Sequence, residues 1–241
     1  MSDGREQRRW VWISVTPLVT IFRLLQTRGA AGAKELLGEV VWGIIGTDHY
    51  VGYHWLDPRQ RQLCWAHLKR EFVAWSERTG ETARIGLALV AVEKQLFALW
   101  YRVRDGTLAW ADFHVAMLPL IARVSTLPQE GGADAKAQGT CRNLLKREAA
   151  LWTFVWEPGV EPTNNSTERP LRRAVWWRRR SFGTQSEAGS QFVERIFTAV
   201  TTLRQQHRDV LDYLTAACAA AICHNPEPSL LPLTSPPLSA R

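Results

Sequence analysis

The sequence predicts a mixed α/β fold interrupted by a large helical insertion. Three observations predict it. β-branched and aromatic runs crowd the chain as far as Thr47. From about Arg59 to Glu148 the apolar residues change to helical spacing. After a segment rich in Asn, Glu and Arg, amphipathic helical patterns resume. With 241 residues, 46% of them hydrophobic, the chain can bury a sizeable core and is not a disordered polymer.

The elements follow in order. Trp10–Thr16 and Val19–Leu24 read as strands, and Pro17 between them makes a hairpin. Gly29 to Gly32 form a turn, and Ala33–Val40 a short helix. Trp42–Thr47 is a short apolar run of the kind found in buried parallel strands. Leu63–Trp75 carries Leu63, Leu68, Phe72 and Trp75 at helical spacing. Glu81–Val103 does the same with Ile85, Leu89, Val92, Leu96, Leu99 and Trp100. Asp105-Gly106-Thr107 ends that helix, and Ala109–Val124 forms the next. Gln129–Gln138 is a Gly-rich, charged loop, and Thr140–Ala150 a last helix of the insertion. Ala174–Arg180 suits a strand or an extended arm. A helix striped by Phe192, Ile196, Val200 and Leu203 follows, then one capped by Asp209 over Val210–Ile222. The tail Asn225–Arg241 holds five of the twelve prolines and is expected to be disordered. Trp10, Trp12, Trp42, Trp55 and Trp65 are expected mostly in cores. The divisions are 1–56, 57–160, 161–224 and the tail 225–241.

The run Trp42–Thr47 ends in Asp48. Open α/β sheets place their chemistry at the carboxyl ends of strands, although an Asp there also serves as a turn residue or cap. The order strand, strand, helix, strand-Asp matches the second to fourth strands of a ribonuclease H-like core. Such a core needs one more strand before Trp10, so the core is read as incomplete.

In the segment Glu161–Arg169, Asn165 suits a helix cap and Glu168 the acid of a capping box. The next residues add chemistry to that plain reading. Arg169, Arg172, Arg173, Arg178, Arg179 and Arg180 fall within twelve residues, with Trp176 and Trp177 among them and Phe182 just after. From Asn165 to Arg208 nine Arg face three Glu, so most of the net +7 lies there. Concentrated positive charge with interleaved aromatics suits a nucleic acid, whose condensed counterions are released on binding; a solvated face is the bland alternative. Ser181–Ser186 reads as a turn whose hydroxyl caps the next helix, with phosphate binding the sharper option.

Other classes are disfavoured. Cys64-x-x-His67, with Cys218, Cys223 and His224, lacks the two tight ligand pairs of structural zinc, and buried helix positions explain these residues better. Four cysteines do not frame a disulfide-rich domain. No run of 18 apolar residues and no signal-like segment occur, so a cytoplasmic protein is expected.

Several stretches together resemble the transposases of the insertion-sequence-66 family. These are Thr47-Asp48 with Tyr50, Gln62 to Leu68, Pro162 to Asn165 with Glu168-Arg169, Ser181 to Ser186 with Gly189, and Val210 to Cys218. The resemblance implies a ribonuclease H-like core with an Asp-Asp-Glu triad, in which Asp48 matches the second Asp and Glu168 the Glu. It implies two Mg²⁺ ions, strand cleavage and transfer on DNA, transposon ends and target as partners, and possible self-association. Arg169, Arg172, Arg173 and Arg178 to Arg180 would then hold the DNA backbone. The family's first Asp, in an Asp-Glu-Thr stretch, has no match: Asp3, between Ser2 and Gly4, does not make that motif. The chain is therefore expected to be the carboxyl-terminal part of a transposase. As it stands it is expected not to cut DNA; the alternative is a DNA-binding remnant without catalysis.

Overall fold

A computed structural model describes residues 8–130, 135–181 and 183–232. The chain divides at Val41/Trp42 and again at Asn164/Asn165 into two compact units. One joins the two ends of the described chain and is called the flanking unit; the other is the inserted unit.

The flanking unit is built on a hairpin. β1 (Trp10–Val15) pairs antiparallel with β2 (Thr20–Leu25), with Trp10 opposite Leu25 and Val15 opposite Thr20. Thr16 ties the turn by accepting from the amides of Leu18 and Val19 at Oγ1. α1 (Ala30–Leu37) lies against β1, three residues earlier than the apolar pattern places it. Gly32 is required there: a Cβ would stand 2.9 Å from the Trp12 ring and 2.7 Å from the Thr27 carbonyl oxygen. The Trp12 indole N–H donates to that same oxygen at 2.9 Å.

α7 (Asn165–Ser181), α8 (Glu187–Gln205) and α9 (Val210–Cys223) complete this unit. α7 replaces the strand or arm expected at Ala174–Arg180. Arg is a good helix former, and Ala174 and Trp177 recur at the spacing that seats one side of a helix, so the β-branched Val175 does not decide the segment. Pro170 sits inside α7 and forgoes one backbone bond.

α8 closes the outer edge of the hairpin with side chains. The amides of Thr20, Phe22 and Leu24, which point away from β1, donate to Thr202 Oγ1 at 3.1 Å, Thr198 Oγ1 at 3.0 Å and the Glu194 carboxylate. Residues four apart on one helix face thus meet residues two apart on a strand, and the edge loses its free donors. Ser186 and Asp209 cap α8 and α9 by accepting from Gly189 and Asp212 amides, so the plain capping readings hold. Residues 225–232 form neither helix nor strand, yet they are held: Tyr213 donates to the Pro228 carbonyl, and Gln206 and Arg208 to the Leu230 carbonyl. The rest of the tail lies outside the described residues.

In the inserted unit, β3 (Ile45–Thr47) pairs parallel with β4 (Arg61–Leu63). The parallel character agrees with expectation; the partner does not. The first three strands were expected in one sheet, whereas β1–β2 and β3–β4 are separate hydrogen-bonded pairs among the described residues. Trp42, read as part of a buried strand, is 88% exposed. β4 lies in the stretch that is expected to turn helical from about Arg59. Its Arg61 and Gln62 side chains are both buried, and the Gln62 side chain and the Arg61 carbonyl find partners on α6 (Glu148–Trp156). Gln62 accepts from the Phe154 amide at 2.8 Å and donates to the Leu151 carbonyl at 3.2 Å; Thr153 donates to the Arg61 carbonyl at 2.7 Å.

The insertion expected to be helical is so: α2 (Trp65–Ser76), α3 (Gly80–Arg104), α4 (Trp110–Glu130) and α5 (Ala135–Leu145) precede α6. The loop expected at Gln129–Gln138 is helical at both ends, and 131–134 lie outside the described residues. Leu68, Phe72, Ile85, Leu89, Leu96 and Phe113 are fully buried in one apolar cluster with Trp65, Trp100 and Phe154. α2 and α3 touch so closely at Gly86 that a Cβ would meet the Ser76 amide nitrogen at 2.3 Å.

Candidate active site

Asp48 follows β3 and is half-buried. Its Oδ1 accepts from the Tyr50 amide at 3.1 Å, an Asx turn that fixes the carboxylate relative to the chain. A buried guanidinium sets the backbone beneath it. Arg61, on the neighbouring strand, donates from Nε to Thr47 Oγ1 at 2.7 Å. Its terminal nitrogens reach the Asp48 carbonyl at 2.9 Å and the Tyr53 carbonyl at 3.3 Å. Thr47 Oγ1 in turn donates to the Asp48 carbonyl at 2.8 Å.

The electrostatics agree with this packing. Burial pulls Arg61 down to about 10, and Arg147 lowers it further while Asp48 and Tyr53 raise it. Burial pushes the Tyr53 phenol up to about 12; Asp48 adds to this and Arg61 opposes it. The Arg61 guanidinium also lies over the Tyr53 ring, 5.8 Å from its centroid.

Beside Asp48, His49 bridges two charges. Its Nδ1 meets Glu71 Oε1 at 2.9 Å, and its Nε2 meets the Arg147 guanidinium. An arginine can only donate, so Nε2 accepts and Nδ1 carries the hydrogen toward Glu71. Sequence reading missed Arg61, His49, Glu71 and Arg147. No local pattern marks the burial of Arg61-Gln62, directly ahead of Leu63-Cys64-Trp65. Nothing local marks Arg147, which lies 98 residues from His49.

Three of the singled-out motifs converge in this unit. The Cys64 amide donates to the Thr47 carbonyl at 2.8 Å, the Trp65 amide to the Pro162 carbonyl at 2.9 Å, and the Asn164 amide to Cys64 Sγ at 3.4 Å. The Cys64 thiol is buried, as expected. Cys218 and Cys223 are exposed on α9 instead of buried, because α9 turns a small part of its surface inward.

Glu168 belongs to the flanking unit, in the first turn of α7, where the helix dipole favours a carboxylate. Asn165 is the first helical residue and not the cap ahead of it. Arg172, one turn on, stands 3.8 Å from the Glu168 carboxylate. At roughly 100° per residue, Arg169, Arg172, Arg173, Arg179 and Arg180 share one side of α7 with Trp176; Arg178 lies on another side. All six arginines are exposed. Phe182 lies outside the described residues.

The profile of the Transposase IS66 family matches residues 1–192, and the chain belongs to that family. It is similar to an uncharacterized protein, y4qI, of Sinorhizobium fredii, with 24% identity over 240 residues, 88% of this chain and 44% of that protein. The chain thus spans less than half the length of this curated relative. No solved structure matches it. Among the described residues no helix is long and apolar enough to cross a membrane.

Proposed function

We propose that this chain supplies part of the catalytic centre of a DNA transposase of the Asp-Asp-Glu type, with Asp48 and Glu168 as two of its carboxylates. The observation that carries the reading is the convergence around Cys64. Asn164, four residues ahead of Glu168, is bonded to Cys64, and the Cys64 amide to Thr47, next to Asp48. Within the inserted unit, the Asn164 stretch and the Thr47–Asp48 stretch are thereby tied to the same residue. Family membership supports the same roles.

The donor chemistry fits a hard divalent ion such as Mg²⁺, which prefers carboxylate oxygen. Among the described residues the Asp48 carboxylate receives one hydrogen bond, at Oδ1, which leaves Oδ2 for a cation. Glu168 offers a second carboxylate on a rigid helix. Bound there, the metal would supply Lewis acidity to a phosphodiester. Arg61 holds the Asp48 backbone still. The arginines of α7 position DNA through phosphates without reading sequence.

Two matched carboxylates fall short of the three the mechanism calls for, so the 241-residue chain alone is expected to bind DNA without cutting it. A longer form carrying the family's first Asp is expected to cut with Mg²⁺ or Mn²⁺. In that form Glu168→Gln should abolish cleavage and leave DNA binding within about twofold, since it removes one metal ligand and keeps every arginine of α7. Cleavage that survives Glu168→Gln would overturn the assignment. Tight DNA binding by a longer form that never cuts would favour the non-catalytic remnant.

A further inference from the structure

We infer that Trp176 is a stacking platform for an unpaired base, so that α7 grips single-stranded or frayed DNA more tightly than intact duplex. This rests on the reading of α7 as a DNA-binding helix and goes beyond it.

Trp176 is 66% exposed in the middle of a regular helix. A single exposed apolar side chain is ordinary; its surroundings here are not. Arg172 and Arg173 lie one turn before it, and Arg179 and Arg180 one turn after, on the same side of α7. With Arg169 they form a strip about 16 Å long and roughly 120° wide, all cationic except for one indole near its centre. The other aromatic of the helix is used differently. Trp177 packs edge-on against Phe197 of α8 at 5.7 Å between centroids, and Ala174 is buried. α7 therefore has one side for the unit's interior and another that pairs guanidinium groups with a bare ring.

Guanidinium groups fit phosphates, and an indole face fits the face of a base. In a duplex the base faces are covered by their neighbours and only edges show in the grooves. A backbone clamp with a ring between its two halves thus suits a strand whose bases are free. A proposed chemistry that cleaves strands produces such ends, where unstacking costs least.

The test compares a labelled single strand with its duplex, by fluorescence anisotropy at one salt concentration, on the full 241-residue chain. Trp176→Ala is expected to weaken single-strand binding by about 5–150-fold, the equivalent of about 1–3 kcal/mol per stacked base. Duplex binding should stay within about twofold. Trp176→Phe, which keeps a ring, should retain most of the single-strand affinity. Loss on both substrates alike, or on neither, would overturn the proposal. So would a Trp176→Ala variant that changes only its elution in size-exclusion chromatography, which would make the ring a protein contact. The double variant Arg179→Gln, Arg180→Gln tests the underlying reading separately. It should weaken both substrates and flatten the log–log salt dependence on duplex by about 2, at roughly 0.9 per phosphate contact. An unchanged slope would sink DNA binding by this helix, whatever Trp176 does.

Discussion

Thr202→Val tests whether α8 substitutes for a strand along the edge of β2. Thr202 is fully buried, and its hydroxyl serves one residue twice: it accepts from the Thr20 amide and donates to the Thr20 carbonyl, both at 3.1 Å. Valine has nearly the same shape, so no cavity opens. What remains is a buried donor and a buried acceptor with neither water nor partner. Each such group costs about 1–3 kcal/mol, and a carbonyl tolerates neglect better than an amide, so the net loss should be about 2–4 kcal/mol. Thr202→Ser is the control. It keeps the hydroxyl and gives up one methyl, at a cost of about 1 kcal/mol. Urea unfolding should therefore rank wild type above serine above valine. Hydrogen exchange adds a local readout: the Thr20 amide should lose protection in the valine variant and keep it in the serine variant. A valine variant as stable as the serine one, with Thr20 still protected, would refute the edge-closing role.

Two further outcomes follow from the site. Arg61→Met strips the donors from Thr47 Oγ1 and the Asp48 and Tyr53 carbonyls. The relief of no longer burying a charge offsets part of this, for a net loss of about 2–5 kcal/mol; wild-type stability on urea unfolding would show that the guanidinium does not hold the Asp48 turn. Tyr53 provides a pH signature. Its phenol is held near 12 in the fold against 10 when free. The stability it contributes is complete below pH 10 and is lost as pH rises through about 12, because the unfolded chain releases the proton first. Tyr53→Phe should flatten that alkaline decline, and tyrosinate absorbance in the wild type should show a late-titrating phenol that the variant lacks. Identical tyrosinate titrations for wild type and Tyr53→Phe above about pH 11 would contradict the burial.

The sequence by itself determined the features that repeat along the chain or rest on near neighbours. The hairpin is legible from alternating β-branched residues around Pro17. The helices of the insertion are legible from Leu68 and Phe72, and from Ile85, Leu89 and Leu96, because one buried stripe must recur at the helical period. The caps at Ser186 and Asp209 depend on an amide three residues away. Asp48 and Glu168 were singled out by local context together with the family resemblance. Tertiary structure decided what depends on distant partners. The Gln62 side chain is buried because the backbone of α6, some 90 residues later, satisfies it. Ala174–Arg180 is a helix in which Ala174 is buried and Trp177 packs on Phe197 of α8, a contact that the strand reading of Val175 and its aromatic neighbours could not anticipate. The edge of β2 is closed by hydroxyls more than 170 residues away. Polar groups like these carry no periodic signal, since burying each one depends on a partner that the fold alone brings near.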